Sequence, residues 1–170
     1  MNKTALALSG LAIFYFSTPL FADVHVKFIE GAPKDRFEIL NVGTCDLEAA
    51  DLTIDFAASN AGLIFDVTNS GAGVEVFQPF EVTAGAQYLK SLPTISDGDQ
   101  RATLSMIGLE RNETIAFTID VDDTNGSREI TVTDGEIRGA KVSLVSNNVE
   151  YSAIIGSNSK AIINTAFCDA

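Results

Sequence analysis

Two short acidic runs hold the side chains of this sequence best able to do chemistry: Asp97-Gly98-Asp99 and Asp120-Val121-Asp122-Asp123-Thr124-Asn125-Gly126. Carboxylates, an Asn amide oxygen and loop carbonyls are hard oxygen donors, and Ca²⁺ gathers about six to eight of them. Asp97, Asp99, Asp122 and Asp123, with Asn125, are therefore the candidate calcium ligands. The spacing does not make an EF-hand loop, because Thr124 stands at the fifth position and Gly126 comes one residue late. The competing reading of the same residues is a solvated acidic loop of Asx turns.

For the two runs to cooperate, the chain must bring them together. The segments 101–107 and 114–121 flank a turn-like stretch, Gly108-Leu109-Glu110-Arg111-Asn112-Glu113, and can pair as a hairpin. Ala102, Leu104 and Met106 would then share an apolar face with Ile115, Phe117 and Ile119. Arg101 would lie opposite Asp120 as a cross-strand ion pair, worth a few tenths of a kcal/mol if exposed. A one-residue slip would turn the apolar set to water. Both acidic runs sit at the open end of this hairpin, with Asp99 roughly opposite Asp122, so the sequence predicts one acidic pole.

Catalytic chemistry finds less support. His25 is the only His and falls in a strand, with no G-x-S-x-G elbow elsewhere in the sequence. No His/Cys cluster offers a zinc site, and no P-loop or dinucleotide fingerprint appears. The expectation is a protein that is not an enzyme. Asn112-Glu113-Thr114 and Asn125-Gly126-Ser127 match the short N-glycosylation sequon, which needs a host able to modify it.

The elements that must position these residues read as strands. Val24, Val26 and Phe28 alternate with polar neighbours, as do Phe37 and Ile39; Leu52, Ile54 and Phe56; and Leu63, Phe65 and Val67. Val74, Val76, Phe80 and Val82 follow, then Ile130 and Val132, Val142 and Leu144, and finally the segments 151–155 and 161–167. Gly, Asn and Ser punctuate the runs, and no helix-period stretch competes. Short strands at this spacing predict an all-β fold: one Ig-like, Greek-key β-sandwich over residues 23–170.

Residues 1–22 are set apart from that domain. Lys3, the apolar run Ala5–Phe16 and the breaker Ser17-Thr18-Pro19 before Ala22 make a secretory signal peptide, too short to span a membrane comfortably. Export to the cell surface or extracellular space is expected, with periplasmic retention the alternative. In an oxidising compartment the two cysteines, Cys45 and Cys168, are expected to form one disulfide. So long a loop would gain roughly 4–5 kcal/mol in the chain-entropy model. The chain has 170 residues and a formal net charge of −12, which argues against nucleic acid and anionic membrane surfaces.

Several runs resemble the secreted bacterial proteins called aggregation factor core, named for a core domain of the marine sponge aggregation factor. They are Phe28-Ile29-Glu30-Gly31-Ala32-Pro33-Lys34-Asp35-Arg36-Phe37 with Asn41-Val42-Gly43-Thr44-Cys45, and Gly62-Leu63-Ile64-Phe65-Asp66-Val67-Thr68. Gly71-Ala72-Gly73-Val74-Glu75-Val76-Phe77-Gln78-Pro79-Phe80 and Phe117-Thr118-Ile119-Asp120-Val121-Asp122-Asp123 complete the likeness. The resemblance implies calcium-dependent, glycan-bearing cell adhesion and transfers no catalytic residue. The expected function is a non-enzymatic adhesion or aggregation module. Its partner is a protein or glycan on a cell surface or matrix, or a second copy of the chain. The alternative is a secreted carbohydrate-binding or periplasmic structural domain, although no Trp and three Tyr equip it poorly for stacking on sugars.

Overall fold

A computed structural model describes residues 21–69, 77–125 and 131–167. In chain order the strands are β1 (Phe21–Ile29), β2 (Asp35–Asn41), β3 (Ala50–Asp55), β4 (Ile64–Phe65), β5 (Glu81–Ala84) and β6 (Arg101–Met106). They continue with β7 (Thr114–Ile119), β8 (Val121–Asp122), β9 (Lys141–Ser146), β10 (Val149–Ile154) and β11 (Lys160–Phe167). One four-residue helix, α1 (Asp134–Ile137), starts from a capping box between Thr133 and Glu136 and buries Ile137. Among the described residues, no helix is long and apolar enough to cross a membrane.

The strands form two packed antiparallel sheets, ordered β11-β1-β2-β7-β5 and β10-β9-β3-β6, with the short pair β4-β8 at one end. The expected all-β sandwich is therefore present. Alternation explains it: β2 buries every second residue, so Phe37 and Ile39 enter the core while Arg36 and Glu38 pair on the outer face. Val24, Val26, Phe28, Phe37, Ile39, Ile115 and Phe117 meet Leu52, Ile54, Leu104, Val142 and Leu144 across the core. A chain of aromatic rings runs through it, Phe28–Phe37 at 5.2 Å, Phe37–Phe56 at 6.4 Å and Phe56–Phe65 at 4.7 Å between centroids. Each such pair is worth about 0.5–1.5 kcal/mol beyond its buried area. The chain of rings ends at β4, which it plants in the core.

The hairpin expected from segments 101–107 and 114–121 does not form. β6 pairs with β3 in one sheet, and β7 pairs with β2 and β5 in the other. Arg101 accordingly meets Asp55, not Asp120. The connection between them crosses the sandwich, pinned where Leu47 and Leu109 exchange both backbone hydrogen bonds at 2.9 Å. Ala102, Leu104, Met106, Ile115, Phe117 and Ile119 are nevertheless all buried. Period-two alternation fixes the buried face of a strand; it does not distinguish a neighbour beside the strand from one facing it across the core.

Other expected segments are shorter or fall elsewhere. Of Leu63, Phe65 and Val67, only Phe65 lies in a strand, and Val132 is buried outside any strand. Val74, Val76 and Ile130 lie outside the described residues, as do residues 1–20 of the expected leader. Phe21 and Ala22, placed in that leader by the sequence, open β1, with an irregular register between Phe21 and Asp23.

Candidate functional site

The site grows out of the place where β7 leaves its sheet. Ile119 is the last strand residue and is fully buried; one residue later the backbone turns, and β8 pairs instead with β4, Ile64 opposite Asp122 and Phe65 opposite Val121. Phe65 is locked in the core, so the next residue, Asp66, is held just beyond the core's edge. Three backbone hydrogen bonds close a ring there: Asp66 N–H to the Asp120 carbonyl at 3.1 Å, Asp120 N–H to Gln78 at 3.2 Å, and Gln78 N–H to Asp66 at 3.3 Å.

This turn of the chain gathers Asp66, Asp120 and Asp122, with one carboxylate oxygen from each within 4.8 Å of the others. All three are buried, at 1%, 5% and 3% exposure. Gly62 makes the close approach of the flanking loops tolerable. Its φ is +63°, and a Cβ there would come within 2.8 Å of the Thr124 hydroxyl, which instead donates to the Gly62 carbonyl.

Burial of like charges dominates the electrostatics. Burial, then the charge of Asp122 and the hydrogen bond that a protonated Asp66 shares with it, then the charge of Asp97, push the Asp66 carboxyl up to about 6. Burial, then Asp122 and Asp66, push Asp120 up to about 7 against an opposing hydrogen bond from the Val121 amide. Asp35 sits next to this group at the start of β2. Burial raises it to about 8, with the Asp120 and Glu30 charges adding and the Gly31 and Val121 amides opposing. As carboxylates, both oxygens of Asp66 and Oδ2 of Asp120 are buried without a hydrogen-bond donor. Among the described residues, neither Asp66 nor Asp120 enters an ion pair. Such a group can hold shared protons or a small hard cation.

The expected acidic pole exists, but its members divide. The Asp99 carbonyl accepts from the Phe65 amide at 2.9 Å, and β8 flanks β4 on its other side, so the 97–99 and 120–125 loops lie at the same end of the sandwich with β4 between them. Of the expected ligands, only Asp122 belongs to the buried group. Asp97 is occupied: it accepts from the amides of Val67 and Thr68, both at 2.7 Å, and from the Thr68 hydroxyl. The Thr68 hydroxyl above all, with those amides, holds Asp97 below the usual carboxylate range against a desolvation that opposes it. Asp99 accepts from Ser96 N–H, Asp123 caps Asn125 N–H, and Asn125 Nδ2 donates to the Asn60 carbonyl. The Asx-turn reading thus describes Asp123 well.

Sequence reasoning missed Asp66 and Asp120 as site residues. Asp66 ends the apolar run Leu63-Ile64-Phe65, where a carboxylate is poorly placed to reach water, and that was the available signal. Asp120 was assigned to a surface ion pair by the hairpin that does not form. His25 is half-buried on the outer face of β1, between Ile162 and Leu40. Cys45 is half-buried against the core, while Cys168 lies outside the described residues. Of the two sequons, Asn112 is exposed at φ 64°, and Gly126 and Ser127 of the second lie outside the described residues.

No family model matches the chain. No curated protein is significantly similar to it. Among solved structures it is similar to a GH20 exo-β-N-acetylglucosaminidase from Vibrio harveyi in complex with N-acetylglucosamine, and to an inactive mutant of that enzyme. Each likeness has 17% identity and a TM-score of 0.31, too slight to bear on fold or activity. The matched region covers 80% of this chain and 17% of the length of the glycosidase.

Proposed function

We propose that this chain is an exported, non-enzymatic binding domain that serves cell adhesion or aggregation and depends on calcium. The observation that carries the reading is the convergence of acidic loops on one end of the sandwich, around three buried carboxylates, with both oxygens of Asp66 and Oδ2 of Asp120 lacking a hydrogen-bond donor. The likeness of residues 28–45, 62–80 and 117–123 to aggregation factor core proteins points the same way. Removal of residues 1–22 delivers the domain to the outside of the cell, and a Cys45–Cys168 bridge ties its tail. Strand register favours that bridge: Asn164 pairs with Asp23, and Asn41 with Val24, so β11 runs toward the pole that carries the Cys45 loop.

The test is clumping of cells or coated beads by the purified protein. Clumping with calcium that EDTA reverses supports the reading. Clumping indifferent to EDTA removes calcium from it, and failure to clump any cell or bead removes adhesion.

A second reading, a carbohydrate-binding domain, is favoured by one surface. Ser152, Ser143, Thr53 and Thr103 lie side by side across the outer face of the four-stranded sheet, with the Thr53 and Thr103 hydroxyls 2.9 Å apart. A reproducible glycan-array hit lost on Thr53→Val and Thr103→Val favours this reading over adhesion through calcium.

A further inference from the structure

We infer that the cation of this domain sits inside the chain, between Asp66, Asp120 and Asp122, and works as an internal clamp on the acidic pole, not as a bridge shared with a second molecule. The inference rests on the calcium-dependent reading above and names the ligands and the role of the ion within it. Burial decides the role. A cation shared between two surfaces needs exposed ligands, and these three carboxylates are at most 5% exposed. Two further observations point to a ligand here. Asp66 is buried with both oxygens lacking a hydrogen-bond donor and one of them within 4.8 Å of an oxygen of each of the other two carboxyls, and Oδ2 of Asp120 lacks a donor as well. Buried groups of this kind cost free energy unless something satisfies them.

The donor chemistry selects the ion class. Carboxylate oxygens alone favour a hard cation over zinc or copper, and Mg²⁺, which sheds its waters reluctantly, suits a buried set of protein carboxylates less well than Ca²⁺. The consequence follows from the backbone. Asp66, Gln78 and Asp120 are joined by the closed ring of hydrogen bonds, and Asp97 ties Val67 and Thr68 to the neighbouring loop. A cation drawing Asp66 and Asp120 together therefore fastens β4, β8 and the 77–80 segment at once. Without it, like charges push apart the segments that the ring joins.

Calcium titrated calorimetrically into dilute, metal-free protein should bind with one equivalent per single copy. Asp66→Asn should weaken that binding by at least about tenfold, and Asp120→Asn likewise, because each removes a charged ligand. Asp99→Asn and Asp123→Asn should change it by no more than about threefold, through long-range charge alone. Hydrogen exchange of the unaltered protein should slow over residues 64–68, 77–80 and 120–122 when calcium is added, and stay unchanged in β9 and β10. The inference is overturned if Asp99→Asn or Asp123→Asn abolishes binding while Asp66→Asn does not, or if calcium leaves exchange at the pole unchanged. Uptake of calcium only upon clumping overturns it too. In those cases EDTA-reversible clumping still upholds the proposed function, whereas absence of any calcium binding removes both.

Discussion

The two ends of β2 solve the same problem with opposite chemistry. At one end Asn41 is fully buried, and its amide is fully used: Nδ2 donates to the carbonyls of Cys45 and Leu109, both at 2.9 Å, and Oδ1 accepts from Gly43 N–H at 3.0 Å. At the other end, about 20 Å away along the strand, Asp35 lies beside Asp120, which shares a buried group of carboxylates with Asp66 and Asp122. An amide carries both donors and an acceptor, so loop backbone alone can satisfy it. A carboxylate is acceptor-only, and several together need protons or a cation. The first pole is complete within the chain; the second is built for something added.

Exchanging these chemistries gives the largest expected effect. Asn41→Asp places an acceptor against two carbonyls and buries a charge, so it should cost about 3–5 kcal/mol at neutral pH by urea unfolding. A loss below about 1 kcal/mol would mean that the Asn41 pole is looser than its hydrogen bonds indicate.

Next comes the cation. Calcium at about 100 times its dissociation constant should stabilise the unaltered protein by about 2.7 kcal/mol, a rise of roughly 5–10 °C in Tm. The same addition should leave Asp66→Asn nearly unmoved. A Tm that does not respond in the unaltered protein would make the two poles alike.

A smaller effect is expected from pH in metal-free protein. Folded Asp35 keeps its proton to about pH 8, whereas the unfolded residue releases it near 3.8, the ordinary value for Asp. Between those values the native state holds a proton that the unfolded state has lost. Stability is therefore greatest at the acid end of the window, falls as the pH rises through it, and levels off above it. The fall should be visible by thermal or urea unfolding between pH 5 and pH 8, and Asp35→Asn should flatten much of it. A metal-free protein that gains stability from pH 5 to pH 8 would contradict the cluster's electrostatics.

The smallest effect concerns the sheets that separate the poles. Arg101 is exposed beside Asp55, so Arg101→Ala should cost no more than about 1 kcal/mol. A double-mutant cycle should find a few tenths of a kcal/mol of coupling between Arg101 and Asp55 and none between Arg101 and Asp120. Coupling to Asp120 would restore the hairpin and move the acidic pole's anchor.

Much of the fold was legible because burial writes itself into alternation. Phe37 and Ile39, Leu52 and Ile54, and Val142 and Leu144 all point inward as their spacing predicts. Lateral pairing was not legible, since the apolar faces of β6 and β7 fit a hairpin and a facing pair equally well. The acidic pole was found for the wrong reason, through that hairpin. Its loop members outside the buried group, Asp97, Asp99, Asp123 and Asn125, stood out by composition, although their side chains are mostly engaged in holding turns. Asp66 and Asp120 did not stand out, because burial of a carboxylate depends on what the rest of the chain lays over it.

The amino-acid order by itself determined an all-β chain with inward apolar residues and acidic bends, because strand periodicity and turn chemistry act over a few neighbouring residues. Only the tertiary structure decided which sheet each strand joins and which carboxylates meet. Asp66 lies 54 positions before Asp120 and 56 before Asp122. Their approach depends on the Phe56–Phe65 contact and on a two-residue β4–β8 ladder, interactions between segments that no local pattern encodes.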